Sequence, residues 1–368
     1  MISKNFVKNI ILRDRKTFYN DLELSNSNEI NENNNINLIA DFTEYSPLHN
    51  GHFHCMKRAK DEVPESIFVA IVPGLFERSG RGLPYILPRE YRSEIAISLG
   101  ADIVVEGPPM GIMGSGQYSL CLAQMFKSLN TDFIPRGYKK VDGFDEILKR
   151  INNGHGIAPK PYKIVDLENG EIVLKGKLEE DNYVIVSLSK SLKKINFDFK
   201  NKFIFVERIT GVSGTLIREA IANDNFDDVQ NMMPKETINV LKREIKKNHC
   251  PLHNSRYDEE IINNANNLSF NELKELNLFN DKFAEKIIKI REDKSFNDIE
   301  DVKKAIVRGF STHFQNRVLS ILETNINGKE VSTYIDRYPS VIRVLDYKNK
   351  EVLNLFQEKI VNKNIDYF

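Results

Sequence analysis

The stretch that most restricts the fold is an apolar run, Leu38-Ile39-Ala40-Asp41-Phe42, leading within three residues into Tyr45-Ser46-Pro47-Leu48-His49-Asn50-Gly51-His52. The run reads as a strand buried on both faces, and the octapeptide as a turn opening a helix. Pro47 suits a helix start, where its missing N–H costs nothing. Gly51 lets the backbone come close to a ligand. The free N–H groups of a first helical turn attract anions. His49 and His52, three apart, share one helix face and can both reach one polyphosphate. A histidine pair at this spacing is also a common surface feature; the preceding strand, Pro47 and Gly51 favour the phosphate reading. Zinc is disfavoured, because His54 or Cys55 would add a ligand but no acidic partner sits at a zinc-like spacing.

Strands and helices then alternate. Ser66–Pro73 reads as a second buried strand, Arg89–Leu99 as a helix closed by Gly100, and Asp102–Glu106 as a third strand. A helix over Tyr118–Leu129, a strand over Thr131–Pro135, a hairpin around Asn169-Gly170 and a last strand over Phe203–Glu207 follow. This alternation predicts an α/β fold with a Rossmann-like parallel sheet covered on both faces. After Pro234 the apolar residues of Phe270–Leu276, Phe283–Arg291, Ile299–Arg308 and Phe314–Glu323 recur at helical spacing, with Ser269 and Ser295 placed as N-caps. Three parts are therefore expected: an N-terminal extension and linker over 1–37, an α/β domain over 38–234, and a mainly helical domain over 235–368. Ser25 to Asn35 is the polar linker, and Phe6–Tyr19 is left between helix and strand.

A chain of 368 residues with 41% hydrophobic and 28% charged residues supports a sizeable core. Its formal charge of zero argues against a strong non-specific nucleic-acid binder, while leaving a local basic patch open. No apolar stretch approaches 18 residues and no secretory leader is evident, so a cytoplasmic protein without membrane or DNA partners is expected. Cys55, Cys121 and Cys250 fit reduced thiols.

A second turn carries chemistry. Gly211-Val212-Ser213-Gly214-Thr215-Leu216-Ile217-Arg218-Glu219 follows the Phe203–Glu207 strand. Ser213 and Thr215 offer hydroxyls, the helix start offers N–H groups, and Arg218 offers a forked permanent cation for phosphate. Alone this is an ordinary helix cap. Paired with His-x-Gly-His, it faces that motif at the carboxyl edge of one sheet, where such folds bind ligands.

Together the two motifs resemble the nucleotidyltransferases with HIGH and Ser-x-Thr-x-Ile-Arg signatures. More narrowly, Glu44 to His52 is similar to the Glu-Tyr-Asn-Pro-Phe-His-Asn-Gly-His of the bacterial tRNA(Met) cytidine acetate ligase family. Gly74–Gly80, the helix with Arg89 and Arg92, Gly100–Pro108, Asp181–Val184, Ser213–Arg218 and Arg343–Tyr347 resemble further segments of that family in the same order. Departures are local: Gly107 stands where the family has leucine, and Cys121 where it has a helix glycine. Phe314 stands where an arginine precedes Arg317, and the 1–37 extension has no counterpart.

The resemblance implies ATP activation of acetate, or another small carboxylate, as an acyl-adenylate, followed by acetyl transfer to a tRNA cytidine. His49, His52 and Arg218 would be the catalytic residues. Phe42, Thr43, Glu44, Tyr45, Ser46, Pro47, Leu48, Asn50, Gly51, Cys55, Asn182, Ser213 and Thr215 would bind ATP, with magnesium accompanying it. Arg78, Arg89 and Arg92 are candidate contacts to substrate or phosphate, and no protein-bound metal is expected. Two alternatives are an adenylyltransferase for a small phosphorylated cofactor precursor and a non-catalytic nucleotide- or RNA-binding protein. Lys242 to Lys247 is the candidate RNA patch of the helical part, and the glycine-rich 107–116 segment a candidate loop beside the site.

Overall fold

The structure is a computed structural model that describes residues 2–25, 27, 36–306 and 312–368. Most of the expected linker, residues 26 and 28–35, lies outside the described residues. Helix α1 (Lys4–Glu23) buries Val7, Ile10, Ile11, Asp14, Phe18 and Asp21, an i, i+3, i+4 stripe that marks one face. That stripe settles the open assignment of Phe6–Tyr19 as helix, and it packs the N-terminal segment into the main core.

The motif strand β1 (Leu38–Phe42) runs into α2 (Asn50–Glu62). Then come β2 (Ile67–Pro73), α3 (Arg89–Ser98), β3 (Ile103–Gly107), α4 (Ser115–Ser128) and β4 (Ile134–Tyr138). Helix α5 (Phe144–Asn152) leads to a meander of β5 (Ile157–Lys160), β6 (Lys163–Asp166) and β7 (Ile172–Lys175). The α/β pattern resumes with α6 (Glu180–Lys194), β8 (Phe203–Glu207) and α7 (Gly214–Ala222). The later helices are α8 (Lys235–Lys246), α9 (Asp258–Asn267), α10 (Phe270–Glu275), α11 (Asp281–Asp293), α12 (Ile299–Ala305), α13 (Thr312–Thr324) and α14 (Gly328–Arg337), followed by β9 (Ile342–Tyr347), α15 (Lys350–Lys359) and β10 (Ile365–Tyr367). Among the described residues no helix is long and apolar enough to cross a membrane.

β1, β2 and β3 pair in parallel, and their residues are buried throughout, as the apolar runs foretold. β4 pairs with β8 in parallel and joins the other edge of β1, with Phe133 O accepting from Ala40 N at 2.9 Å. The order β3-β2-β1-β4-β8 changes direction between β1 and β4, which opens a crevice at the carboxyl ends of those two strands. Ser269 caps its helix as expected, but the residue that caps α12 is Asp298, not Ser295; its carboxylate accepts from Asp301 N at 2.7 Å.

The expected mainly helical unit over 235–368 also supplies strands. β9 pairs antiparallel with β3, and β10 parallel with β9, extending the central sheet. Charged contacts reinforce this join: Arg343 on β9 meets Glu106 of β3 at 2.6 Å and Asp21 of α1 at 2.7 Å.

The loop after β2 is locked against α13. A Cβ built on Gly82, whose φ is +73°, would lie 2.3 Å from the backbone N of Arg317. Gly82→Ala is therefore expected to cost about 2–4 kcal/mol, from strain plus a helix pushed away. A urea midpoint within experimental error of the parent would contradict this packing.

Candidate active site

α2 begins where the backbone leaves its turn, and a histidine holds that start. His49 is the N-cap: its Nδ1 accepts from Gly51 N at 3.2 Å and from His52 N at 3.4 Å. His52 reciprocates, its Nδ1 accepting from His49 N at 3.4 Å. This is a capping box written with two imidazoles. Because both Nδ1 atoms accept, each ring carries its proton on Nε2 when neutral. The rings stack with centroids 3.7 Å apart and planes 14° from parallel. Pro47 lies in the preceding turn rather than in the first helical turn where the sequence placed it.

Burial lowers the His49 pKa to about 4, and the nearby Arg208 and Arg218 push in the same direction. Burial also drives His52 well below the ordinary imidazole value, helped by His49 and Arg218. Both rings are thus neutral at pH 7, each with one N–H to donate. The sign for stability follows. Unfolded histidine titrates near 6.5, so between about pH 4 and 6.5 the unfolded chain holds more protons at His49 than the folded one. Stability from this site therefore rises with pH across that window and is complete above it. His49→Asn removes the titration yet keeps a good cap. The parent is expected to lose up to about 3 kcal/mol relative to this variant between pH 7 and pH 4. Parallel pH profiles in chemical denaturation would refute the assignment.

The second turn meets the first. Ser213 caps α7, its Oγ accepting from Leu216 N at 3.3 Å. Arg218, one turn in, donates to Thr215 Oγ1 at 3.1 Å and to Ser46 O at 3.5 Å. A Cβ on Gly214 would sit 3.2 Å from both His49 Nε2 and the Arg218 guanidinium, so a glycine keeps these two donor groups clear.

Around them lies a cleft of about 520 Å³ at the crevice between β1 and β4. Of the sequence candidates, Phe42, Thr43, Glu44, Ser46, His49, Gly51, His52, Cys55, Ser213, Thr215 and Arg218 line it. Tyr45 and Leu48 lie beneath it in the core, and Asn50 donates to Asn231 O at 2.9 Å outside it. Asn182 is buried and clamps Lys139 through N at 2.9 Å and O at 2.8 Å, so it shapes the wall instead of facing the cavity.

The three candidate arginines are placed differently from expectation. Arg89 is buried against Asp14 at 2.8 Å, Glu77 at 3.3 Å and Glu106 at 2.8 Å. Arg92 holds Glu77 at 2.7 Å and donates to Glu44 O at 2.8 Å, and Arg78 holds Glu323 at 2.6 Å. None of them lines the cleft, and each is buried with its guanidinium turned to carboxylates and backbone carbonyls of the interior. They are corrected from substrate contacts to structural ion pairs. Within the Lys242 to Lys247 stretch, Arg243 pairs with Glu94 and Glu244, and Lys247 with Glu244.

Other charged groups in the cleft escaped the sequence reading. Asp41 and Arg136 face each other at 3.7 Å on the floor, and burial raises the Asp41 pKa to about 6. Asp41 is a charged residue inside an otherwise apolar run, which was the available signal, whereas Arg136 lies just past the strand expected over Thr131–Pro135. At the rim the first turn of α6 meets two arginines, Glu180 pairing with Arg81 and Asp181 with Arg208. His313 and Arg317 of α13 close the opposite side. Among the described residues no group of three histidines, cysteines or carboxylates is arranged to hold a metal ion.

Residues 36–130 match the model of the HIGH nucleotidyl transferases, and residues 139–346 that of the cytidyltransferase-related C-terminal region. The chain belongs to the HIGH nucleotidyl transferases with the cytidyltransferase-related C-terminal region. It is 44% identical over 327 residues to the uncharacterized protein MJ0951 of Methanocaldococcus jannaschii, covering 87% of this chain and 88% of that one. It is 28% identical over 230 residues to the tRNA(Met) cytidine acetate ligase of Oceanobacillus iheyensis, covering 54% and 56%. The fold superposes on Thermotoga maritima TmcAL bound with alpha-thio ATP with a TM-score of 0.72 at 18% identity, covering 88% of this chain and 84% of that one. The family makes this chain an ATP-dependent ligase or nucleotidyltransferase, and its central sheet and helical C-terminal region are those of the fold.

Proposed function

We propose that this enzyme activates acetate with ATP and transfers the acetyl group to the exocyclic amine of a tRNA cytidine. The observation that carries the reading is the pair of neutral imidazole N–H donors at the α2 start, facing Arg218 of the second turn across one crevice. In the first step an acetate oxygen attacks the α-phosphorus of ATP. A P–O bond forms, the bond to pyrophosphate breaks, and acetyl-adenylate remains. Charge builds on the phosphoryl oxygens, and donors already oriented by backbone hydrogen bonds stabilise it without reorganising. Two uncharged donors and one fixed cation also hold a polyanion without trapping the pyrophosphate. In the second step the cytidine N4 attacks the acetyl carbon, AMP leaves with the bonding pair, and the amine sheds one proton.

Phe42, Thr43, Glu44, Ser46, Gly51, Cys55, Ser213 and Thr215 would form the ATP-contacting wall. Magnesium fits here only as a companion of the ATP phosphates, since the described residues gather no ligand set of their own. The relatives named as tRNA(Met) cytidine acetate ligases support tRNA as the acceptor.

The test is pyrophosphate release from ATP by the purified protein. Release that requires acetate, rises with bulk tRNA and leaves labelled acetyl on the RNA is the expected result. Release only with a phosphorylated nicotinamide or pantetheine precursor would replace the ligase reading with a cofactor adenylyltransferase.

A further inference from the structure

The meander β5–β6–β7 carries an arrangement that its own stability opposes. In the sheet register Lys160 lies directly across from Lys163, and Lys163 directly across from Lys175. Opposed residues of antiparallel strands project on the same face with Cβ atoms about 5 Å apart, so three ammonium groups stand side by side across three strands. Like charges in that position destabilise a sheet. A fourth, Lys177, reaches over the ring of Tyr162 with its Nζ 5.6 Å from the centroid. Tyr162 forms the tip between β5 and β6 and, at 72% exposed, is the most exposed large hydrophobic side chain among the described residues.

No compensation comes from within the described chain. Lys160, Lys163, Lys175 and Lys177 make no ion pair among the described residues, while Lys139, Arg150 and Lys193, on neighbouring elements, each hold a carboxylate. In the Lys242 to Lys247 stretch, by comparison, Arg243 and Lys247 are paired with glutamates. The patch also borders the cleft. Lys177 precedes Glu179 by two residues, within about 7 Å of chain, and Glu179, Glu180 and Asp181 line the cavity.

We propose that this face of the meander is a docking surface for the RNA acceptor, with the lysines on successive phosphates and Tyr162 stacked on an unpaired base beside the modified nucleotide. Four unpaired cations on one face match a phosphate backbone, and an exposed ring among cations is how unpaired bases are held without sequence readout. An amine on a base reaches the acetyl-adenylate only if that base is out of its stack, so neighbouring nucleotides must be held at the rim. This inference rests on the proposed transfer to RNA.

The test uses the full chain with Lys160, Lys163, Lys175 and Lys177 all changed to Gln, and a second variant, Tyr162→Ala. Acetate-dependent ATP–pyrophosphate exchange without RNA is expected to match the parent, which shows that folding and adenylation are intact. Affinity for bulk tRNA at 0.1 M salt is expected to fall by about 10- to 100-fold in the quadruple variant, and the log–log salt slope by about 3. Tyr162→Ala is expected to weaken binding roughly tenfold with the salt slope unchanged. A parent that binds tRNA and a quadruple variant that binds it equally, at the same slope, would overturn the docking surface while leaving transfer to tRNA standing. A parent that does not bind tRNA would overturn both. Parent binding to phosphatidylserine vesicles but not to tRNA, lost in the quadruple variant, would assign the face to a membrane and likewise overturn it.

Discussion

His52→Ala is expected to lower acetate-dependent pyrophosphate exchange by at least about 10²-fold, the usual loss on removing one oriented donor from a charge-developing site. The fold should survive. His52 gives its neighbourhood one long hydrogen bond from His49 N at 3.4 Å and a stacked ring, worth together about 1 kcal/mol. His49→Asn separates the two jobs of the other histidine. An asparagine oxygen takes over the cap that Nδ1 provides, but nothing replaces the Nε2–H that faces Gly214 and Arg218. Activity is expected to fall about as far as in His52→Ala, with the melting temperature within a few degrees of the parent. Exchange rates near the parent's in either folded variant would remove the imidazole donors from the mechanism.

Arg89→Ala should act in the opposite manner, on stability rather than chemistry. Its guanidinium is met by Asp14, Glu77 and Glu106 and is 1% exposed. Deleting it leaves Asp14 without its buried partner, while Glu77 keeps Arg92 and Glu106 keeps Arg343; breaking such a buried pair typically costs about 3–5 kcal/mol. Asp14→Ala is expected to be nearly as damaging, because Asp14 also accepts from Phe76 N at 2.7 Å and so ties α1 to the loop after β2. Equilibrium denaturation of both variants decides the matter. Arg89→Ala with unchanged stability and a raised KM for ATP would return Arg89 to the substrate contacts.

The contrast between these two residues shows what the chain disclosed of itself. The His-x-Gly-His and Ser-Gly-Thr turns were legible because each depends on neighbours within a few residues: a strand, a cap, a glycine, a first turn. β1, β2, β3 and β8 were legible for the same reason, being short runs apolar enough to be buried on both faces. Arg89 looked like a phosphate ligand because the carboxylates that claim it come from α1, from the loop after β2 and from β3. No local pattern announces such a convergence. β9 escaped in the same way, since six residues within a helical region acquire strand character only by pairing with Ile103–Val105. Asp41 could have been flagged as a charge inside an apolar strand, but Arg136 fell just past the strand expected over Thr131–Pro135, and their mutual approach requires β4 to lie beside β1.

The pairing of β3 with β9 also has a consequence for how the protein is made. As the chain leaves the ribosome, β1, β2 and β3 emerge early, whereas the partner that covers the outer edge of β3 emerges only after the whole run of later helices. Until then β3 presents open backbone hydrogen-bonding groups on a strand buried along its whole length in the finished fold, the kind of edge that recruits other chains. α1 is synthesised first, but its Asp21 waits for Arg343 before its charge is matched. Nascent chains stalled before β9 should therefore be the aggregation-prone species, and a shortage of chaperones should deplete this enzyme during synthesis more than after it.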